Sequence, residues 1–228
     1  MKLFPNILLV SGVLAVLFLG SCNKSEPVEG GNTLMNSQDN DVYHEWNNLF
    51  MEVERYAAFY RPGPAPRALA YLGLSAYEAC LGGMPDYQSL QFRLGITDMP
   101  APQKNLYWPE VINASYGYLM QKFFENVTFK DKNGSVLDNH QFLKQIEQKE
   151  IELKEKYRLK TVDATLNNSE SHGREVAAAI WRYSITDNVG HNAHLNPFPV
   201  PVNAKGCDWV PTEPNQADRG LYSQWGKV

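Results

Sequence analysis

The stretch DVYHEWNNLFMEVERYAAFYRPGPAPRALAYLGLSAYEACLGG, residues 41–83, decides the fold class. Its first part sets Val42, Trp46, Leu49, Phe50, Val53, Ala57 and Tyr60 at gaps of three and four, which collects apolar side chains on one helical face. The spacing predicts an amphipathic helix over 41–60. The run RPGPAP at 61–66 must end it, because proline lacks the amide that the helical ladder needs and drives the preceding residue out of the helical region. A second helix is predicted from Pro66 to about Leu81, burying Leu69, Leu72, Gly73, Ala76 and Cys80. Small residues among these let a neighbouring helix come close, and Gly82 and Gly83 then terminate it.

Downstream, Pro85, Gly95, Pro100 and Pro102 break up residues 84–107, which read as a long ordered loop. Pro109 suits the first position of a third helix that carries Ile112, Tyr116, Leu119 and Phe123 on one face. Asp131, Lys132, Asn133 and Gly134 are turn residues. A fourth helix over 139–157 gathers Phe142, Ile146, Leu153 and Tyr157, and its opposite face, dense in Lys and Glu, reads as solvated. A fifth helix is predicted from Ser169 to about Thr186, with Val176, Ala177, Ile180 and Tyr183 inward. After Asp187 the periodicity stops and proline and glycine recur. The expectation is an all-α bundle of about five helices over 41–187, with a long internal loop and an extended carboxy-terminal arm over 188–228. Trp209, Tyr222 and Trp225 on that arm suggest docking, either on a carboxy-terminal domain of the same protein or on another protein.

The 228 residues carry 21 Lys plus Arg against 25 Asp plus Glu, so no basic footprint for nucleic acid exists. Upstream of the helices, Lys2 precedes an almost wholly apolar run at Ile7–Leu19, and polar Asn23, Lys24 and Glu26 follow soon after. This is secretory-signal anatomy, too short for a bilayer span of about 20 apolar residues. Leu19, Gly20, Ser21 and Cys22 resemble the lipobox of bacterial lipoproteins, in which the signal (1–21) is cut away before the cysteine and the thiol carries lipid. Cys22 is therefore the expected lipid attachment residue, palmitate included, and residues 22–40 a flexible tether to a membrane at the cell envelope. An ordinary secretory signal and an uncleaved anchor are the alternatives. Of the three cysteines, this leaves Cys80 and Cys207 as a possible disulfide.

The text RPGPAPRALAYLGLSAYEACLGGMPDYQSL at 61–90, with Trp46-Asn47, Tyr107-Trp108-Pro109 and SHGREVA at 171–177, resembles the amino-terminal helical region of vanadium-dependent haloperoxidase-related proteins. These belong to the type 2 phosphatidic acid phosphatase superfamily, and the resemblance covers roughly residues 41–219. It implies an all-helical fold whose carboxy-terminal half binds vanadate or phosphate. The family's catalytic pattern is a lysine before an Arg-Pro pair, then Pro-Ser-Gly-His, then Ser-Arg followed by a histidine. Its cations neutralise the oxyanion, and its histidines supply the nucleophile or vanadium ligand and the acid and base steps. That pattern does not occur in residues 1–228, and the Arg61-Pro62 pair has no lysine shortly before it. The resemblance thus assigns no catalytic, cofactor or metal residue here. Vanadate is implied only for a full-length relative, and this chain is expected to be inactive by itself. A phosphoester hydrolase fragment and a non-enzymatic, membrane-anchored helical binding module are the other readings.

Other constellations read as structural. His191, His194 and Cys207, with Asp187 or Asp208, are too loosely spaced for a zinc site. His44 and Glu45 pair with no other motif, and Ser171 and His172 are adjacent on a helix and so point apart. Arg61 and Arg67 bracket the proline-rich turn at the mouth of a helix. They are the candidates for contact with an anion or with another domain. Pairing with Glu52, Glu54, Glu78 or a carboxylate of a catalytic half is the other reading. Trp46, Trp108, Tyr71 and Tyr77 read as core or docking aromatics.

Overall fold

The computed structural model describes residues 34–35, 38–197, 221, 222, 225 and 228. The signal, Cys22, most of the tether, Cys207, Asp208 and Trp209 lie outside the described residues. Five long helices carry the described part: α1 (Asp41–Glu54), α2 (Pro64–Cys80), α4 (Trp108–Phe124), α5 (Asn139–Arg158) and α6 (Asp163–Ser184). Single helical turns at α3 (Gln91–Leu94) and α7 (Asn188–His191) complete the helical set. The fold is the all-α bundle that the apolar spacing predicts.

Helix α4 is the axis of the bundle, with α1, α2, α5 and α6 packed around it. The sequence predicts one apolar face on this helix. Instead nearly its whole circumference is buried, including Glu110, Asn113 and Ser115. Trp46, Trp108, Phe50, Phe124 and Phe129 form the bulk of one continuous core. Burying each of the larger side chains is worth about 1.5–3 kcal/mol against leaving it exposed.

The first helix ends at Glu54, six residues short of the predicted Tyr60. The reason is a small sheet: β1 (Phe129–Lys130) pairs antiparallel with β2 (Val136–Leu137) across the predicted turn. The chain after α1 bridges to β1 at Ala57. Ala58 N donates to Thr128 O at 2.9 Å, and Lys130 N donates to Tyr56 O at 2.8 Å. Ala57 and Tyr60 are still buried, so their spacing reports burial correctly and geometry incorrectly.

Helix α2 starts at Pro64 rather than Pro66 and stops at Cys80, followed by one 3-10 turn at Leu81–Gly83. A Cβ on Gly82 would fall 1.5 Å from Gln103 O, so the long loop lies directly on this turn. Glu78 pins the loop further, accepting from Ser89 Oγ at 2.7 Å and from Leu90 N at 2.6 Å. Cys80 is a free, fully buried thiol in the core, not a disulfide half, and burial pushes its pKa up.

Helix α5 matches its prediction to within one residue. Its N-cap Asp138 accepts from His140 N at 3.0 Å, and Lys156 and Arg158 stand in its last turn, where they favour the negative end of the helix. Helix α6 begins six residues before the predicted Ser169, because Leu166 is buried and carries the start of the helix. The carboxy-terminal arm corrects its prediction where it is described. Residues 188–197 form α7 and turns, not extended chain, and Tyr222 N donates to Pro197 O at 2.8 Å. Tyr222 is buried and its hydroxyl donates to Phe59 O. Tyr222 therefore sits on the helical domain itself. Among the described residues no helix is long and apolar enough to cross a membrane.

Candidate functional site

The proline-rich turn and the end of α6 converge at one corner. Arg61, which follows the first helix, pairs with Glu54; its Nε lies 2.7 Å from both carboxylate oxygens. Glu54 is buried while Arg61 is mostly exposed, so the ion pair covers a carboxylate that water barely reaches. The pairing holds the Arg61 guanidinium pKa up.

Arg67, in the first turns of α2, is the more enclosed of the two, with 8% of its side chain exposed. Its Nε donates to Asp187 Oδ2 at 3.0 Å and its terminal nitrogen to Ser184 O at 2.5 Å. It also lies over the Tyr71 ring, 4.8 Å from the centroid. Asp187 Oδ1 accepts from Gly190 N at 2.9 Å and so caps α7. One arginine therefore fixes α2 to the end of α6 and to the start of α7. Both guanidinium groups are engaged by carboxylates of this chain.

His191 and His194 stand at the same corner, beside Tyr60, Trp181 and Asn126, around a cavity of about 30 Å³. That space suits about one water and is too small for a tetrahedral oxyanion. Burial lowers both histidine pKa values, His194 to about 4 with help from His191 and Arg67, so the pair is neutral at neutral pH. Their rings pack edge-on, His191 against Trp181 at 5.3 Å and His194 against Tyr60 at 5.8 Å between centroids. Asp187 is turned to Arg67 and Gly190. Among the described residues no group of three His, Cys, Asp or Glu side chains could hold a metal.

Ser171 and His172 diverge as expected for helical neighbours. Ser171 Oγ donates to Glu175 at 3.0 Å, whereas His172 is fully buried and kept neutral by that burial. His44 is exposed, and Glu45 reaches Lys149 at 3.2 Å. Trp46 and Trp108 are core, Tyr71 stacks on Phe123, and Tyr77 donates to Gln88 O at 2.7 Å.

A second polar cluster, absent from the sequence expectations, lies between α4, α5 and α6. Trp46 Nε1 donates to Asn113 Oδ1 at 3.1 Å, and Asn113 Nδ2 donates to Glu110 Oε2 and to Glu150 O, both at 3.0 Å. Burial raises the Glu110 carboxyl to about 8 and Glu150 to about 7, the latter against the pull of Arg174. Burial also pushes Glu170 upward, but its bonds with Lys154 and Arg174 outweigh this and lower it overall. Glu110 therefore sits inside the bundle as a largely protonated acid at neutral pH. The sequence shows only a glutamate in the first turn of a helix, where it would ordinarily complement the helix dipole.

A scan against protein-family models, a search of curated proteins and a search of solved structures return no match to the chain.

The corner gives a direct stability prediction. Arg67→Met keeps the stem but removes the donors to Asp187 and Ser184 and strands a half-enclosed carboxylate. The expected loss is about 2 kcal/mol, read as a lower urea midpoint at unchanged slope. A loss below about 0.5 kcal/mol would place the pair among ordinary surface bridges.

Proposed function

We propose that the chain is the amino-terminal helical portion of a vanadium-dependent haloperoxidase-like lipoprotein, held at the envelope by lipid on Cys22 and inactive by itself. The observation that supports this is the use made of residues 61–67, within the stretch that carries the family resemblance. Their two arginines lock the helices to one another and offer no vacant cationic cradle. In this reading the domain is a packing half, and oxyanion chemistry belongs to a carboxy-terminal half with its own lysine, arginines and histidines. A phosphatidic acid phosphatase-like parent would use the same scaffold. The return of Tyr222 to the domain favours a second reading, a non-enzymatic membrane-anchored helical binding module, because it closes a surface against the chain's own residues.

The test begins with the native transcript read beyond the codon for Val228. Its longest product and the chain itself are then assayed for bromide oxidation by hydrogen peroxide and for phosphomonoester hydrolysis, with and without vanadate. The expected result is turnover by the longer product alone. Turnover by the 228-residue chain would sink the proposal, and a native stop codon after Val228 would favour the binding module. Labelled palmitate should enter the wild-type protein and be lost in Cys22→Ser. Equal labelling of both would remove the lipid anchor from the reading.

A further inference from the structure

Beyond the end of α7 the chain makes a further turn, with Leu195 N and Asn196 N both bonded to Asn192 O at 3.0 and 3.2 Å. Asn188, Asn192 and Asn196 thus recur every four residues and return to one side. All three are exposed, and their side chains make no hydrogen bond among the described residues. They line one cavity of about 220 Å³ together with Tyr222 and Trp225.

The two rings are held from behind. The Tyr222 hydroxyl is committed to Phe59 O, so only its ring remains to meet a ligand. The six-membered part of the Trp225 indole lies on Gly63, where a Cβ would come within 2.9 Å. The rings are 5.7 Å apart and tilted at 51°. The remaining described lining, Val189 and Ala193, is apolar, and among the described residues no charged side chain borders the cavity.

We propose that this cavity binds one pyranose ring of a neutral glycan. A primary amide donates and accepts at once, which matches a pair of neighbouring sugar hydroxyls, and three such amides on successive turns match a ring of them. The fixed aromatic faces suit the apolar C–H face of a pyranose. Among the described residues the lining offers a phosphate, a sulfate or an acidic sugar no counter-charge. The volume is below the roughly 300–1,000 Å³ of sites for drug-sized ligands and fits a single ring.

The experiment is a nuclear magnetic resonance titration of the full chain, ¹⁵N-labelled, in a detergent without a sugar headgroup. Methyl glycosides of glucose, galactose, mannose and N-acetylglucosamine are added separately, and inorganic phosphate serves as the anionic comparison. At least one glycoside should shift the side-chain amides of Asn188 and Asn192 and the Trp225 indole saturably. Asn188→Ala and Asn192→Ala, both at exposed positions, should each weaken that binding about tenfold, the scale of one lost hydrogen-bonded contact, with unchanged melting. The proposal is overturned if no glycoside saturates these signals, if phosphate shifts them equally, or if both alanine variants bind as the wild type does.

Discussion

Gly173→Val should cost the bundle about 4 kcal/mol, above the 1–3 kcal/mol of ordinary overpacking. Gly173 lies where α6 crosses α4, and a Cβ there would stand 2.3 Å from Val111 O and 3.2 Å from the Ala114 Cβ. The first obstacle is a backbone carbonyl inside the central helix, which cannot swing aside as a side chain would. Elsewhere in a helix, replacing glycine by alanine gains about 1 kcal/mol of propensity. Gly173→Ala therefore separates the two effects: it should destabilise despite the better propensity. Urea unfolding of both variants checks this, and a stabilised Gly173→Ala protein would show that the two helices are not in close contact there.

Stability should fall as pH rises from 6.5 to 8, by on the order of 1–2 kcal/mol net. Glu110 and Glu150 have folded pKa values of about 8 and about 7 against an ordinary 4.5, so the native state holds protons that the unfolded state has released. A raised folded pKa gives stability that is complete below 4.5 and is lost as pH climbs through the folded value. The buried histidines act in the opposite sense. His194 is depressed from 6.5 to about 4, so its contribution is complete well above 6.5 and fades as pH falls through that value. The unfolded histidines are still half-protonated at pH 6.5 and offset part of the fall, so the difference between wild type and Glu110→Gln is what isolates the carboxyl. Glu110→Gln, which never ionises, should remove most of the slope while retaining an acceptor for Asn113. A slope unchanged by Glu110→Gln would mean that Glu110 is solvated and ordinary.

The two cases show where sequence reading succeeds and where it stops. Phe142, Ile146, Leu153 and Tyr157 define α5 almost to the residue because that helix is amphipathic, one side wet and one side dry. Helix α4 has almost no wet side, so periodicity shows its existence but not that Glu110 and Asn113 are as enclosed as Ile112. Burial of those polar groups is a property of three helices meeting, and no local pattern encodes it. The sheet at 129–137 escapes for a different reason: two-residue strands are too short to alternate, and only the turn between them has a signature. The early start of α6 is hidden by Thr165, Asn167 and Asn168, weak helix formers carried by the buried Leu166.

Arg61 and Arg67 are recognisable in the sequence as paired cations at a rigid turn. Glu54 is within reach of that reading, being seven residues from Arg61. Asp187 is not, since 120 residues separate it from Arg67 and nothing in the local text connects them. The amides at 188, 192 and 196 have a legible spacing, but the proline and glycine content of their surroundings masks it as loop.

The bond from Tyr222 N to Pro197 O brings two residues distant in sequence together at one point of the helical domain. The entropy of closing the chain between them grows only with the logarithm of its length, about 0.6 kcal/mol for each doubling. Length added between Pro197 and Tyr222 should therefore cost the pairing of those two residues little. An epitope or a whole reporter domain placed there should leave that backbone bond in place, as the gatepost of an insertion port.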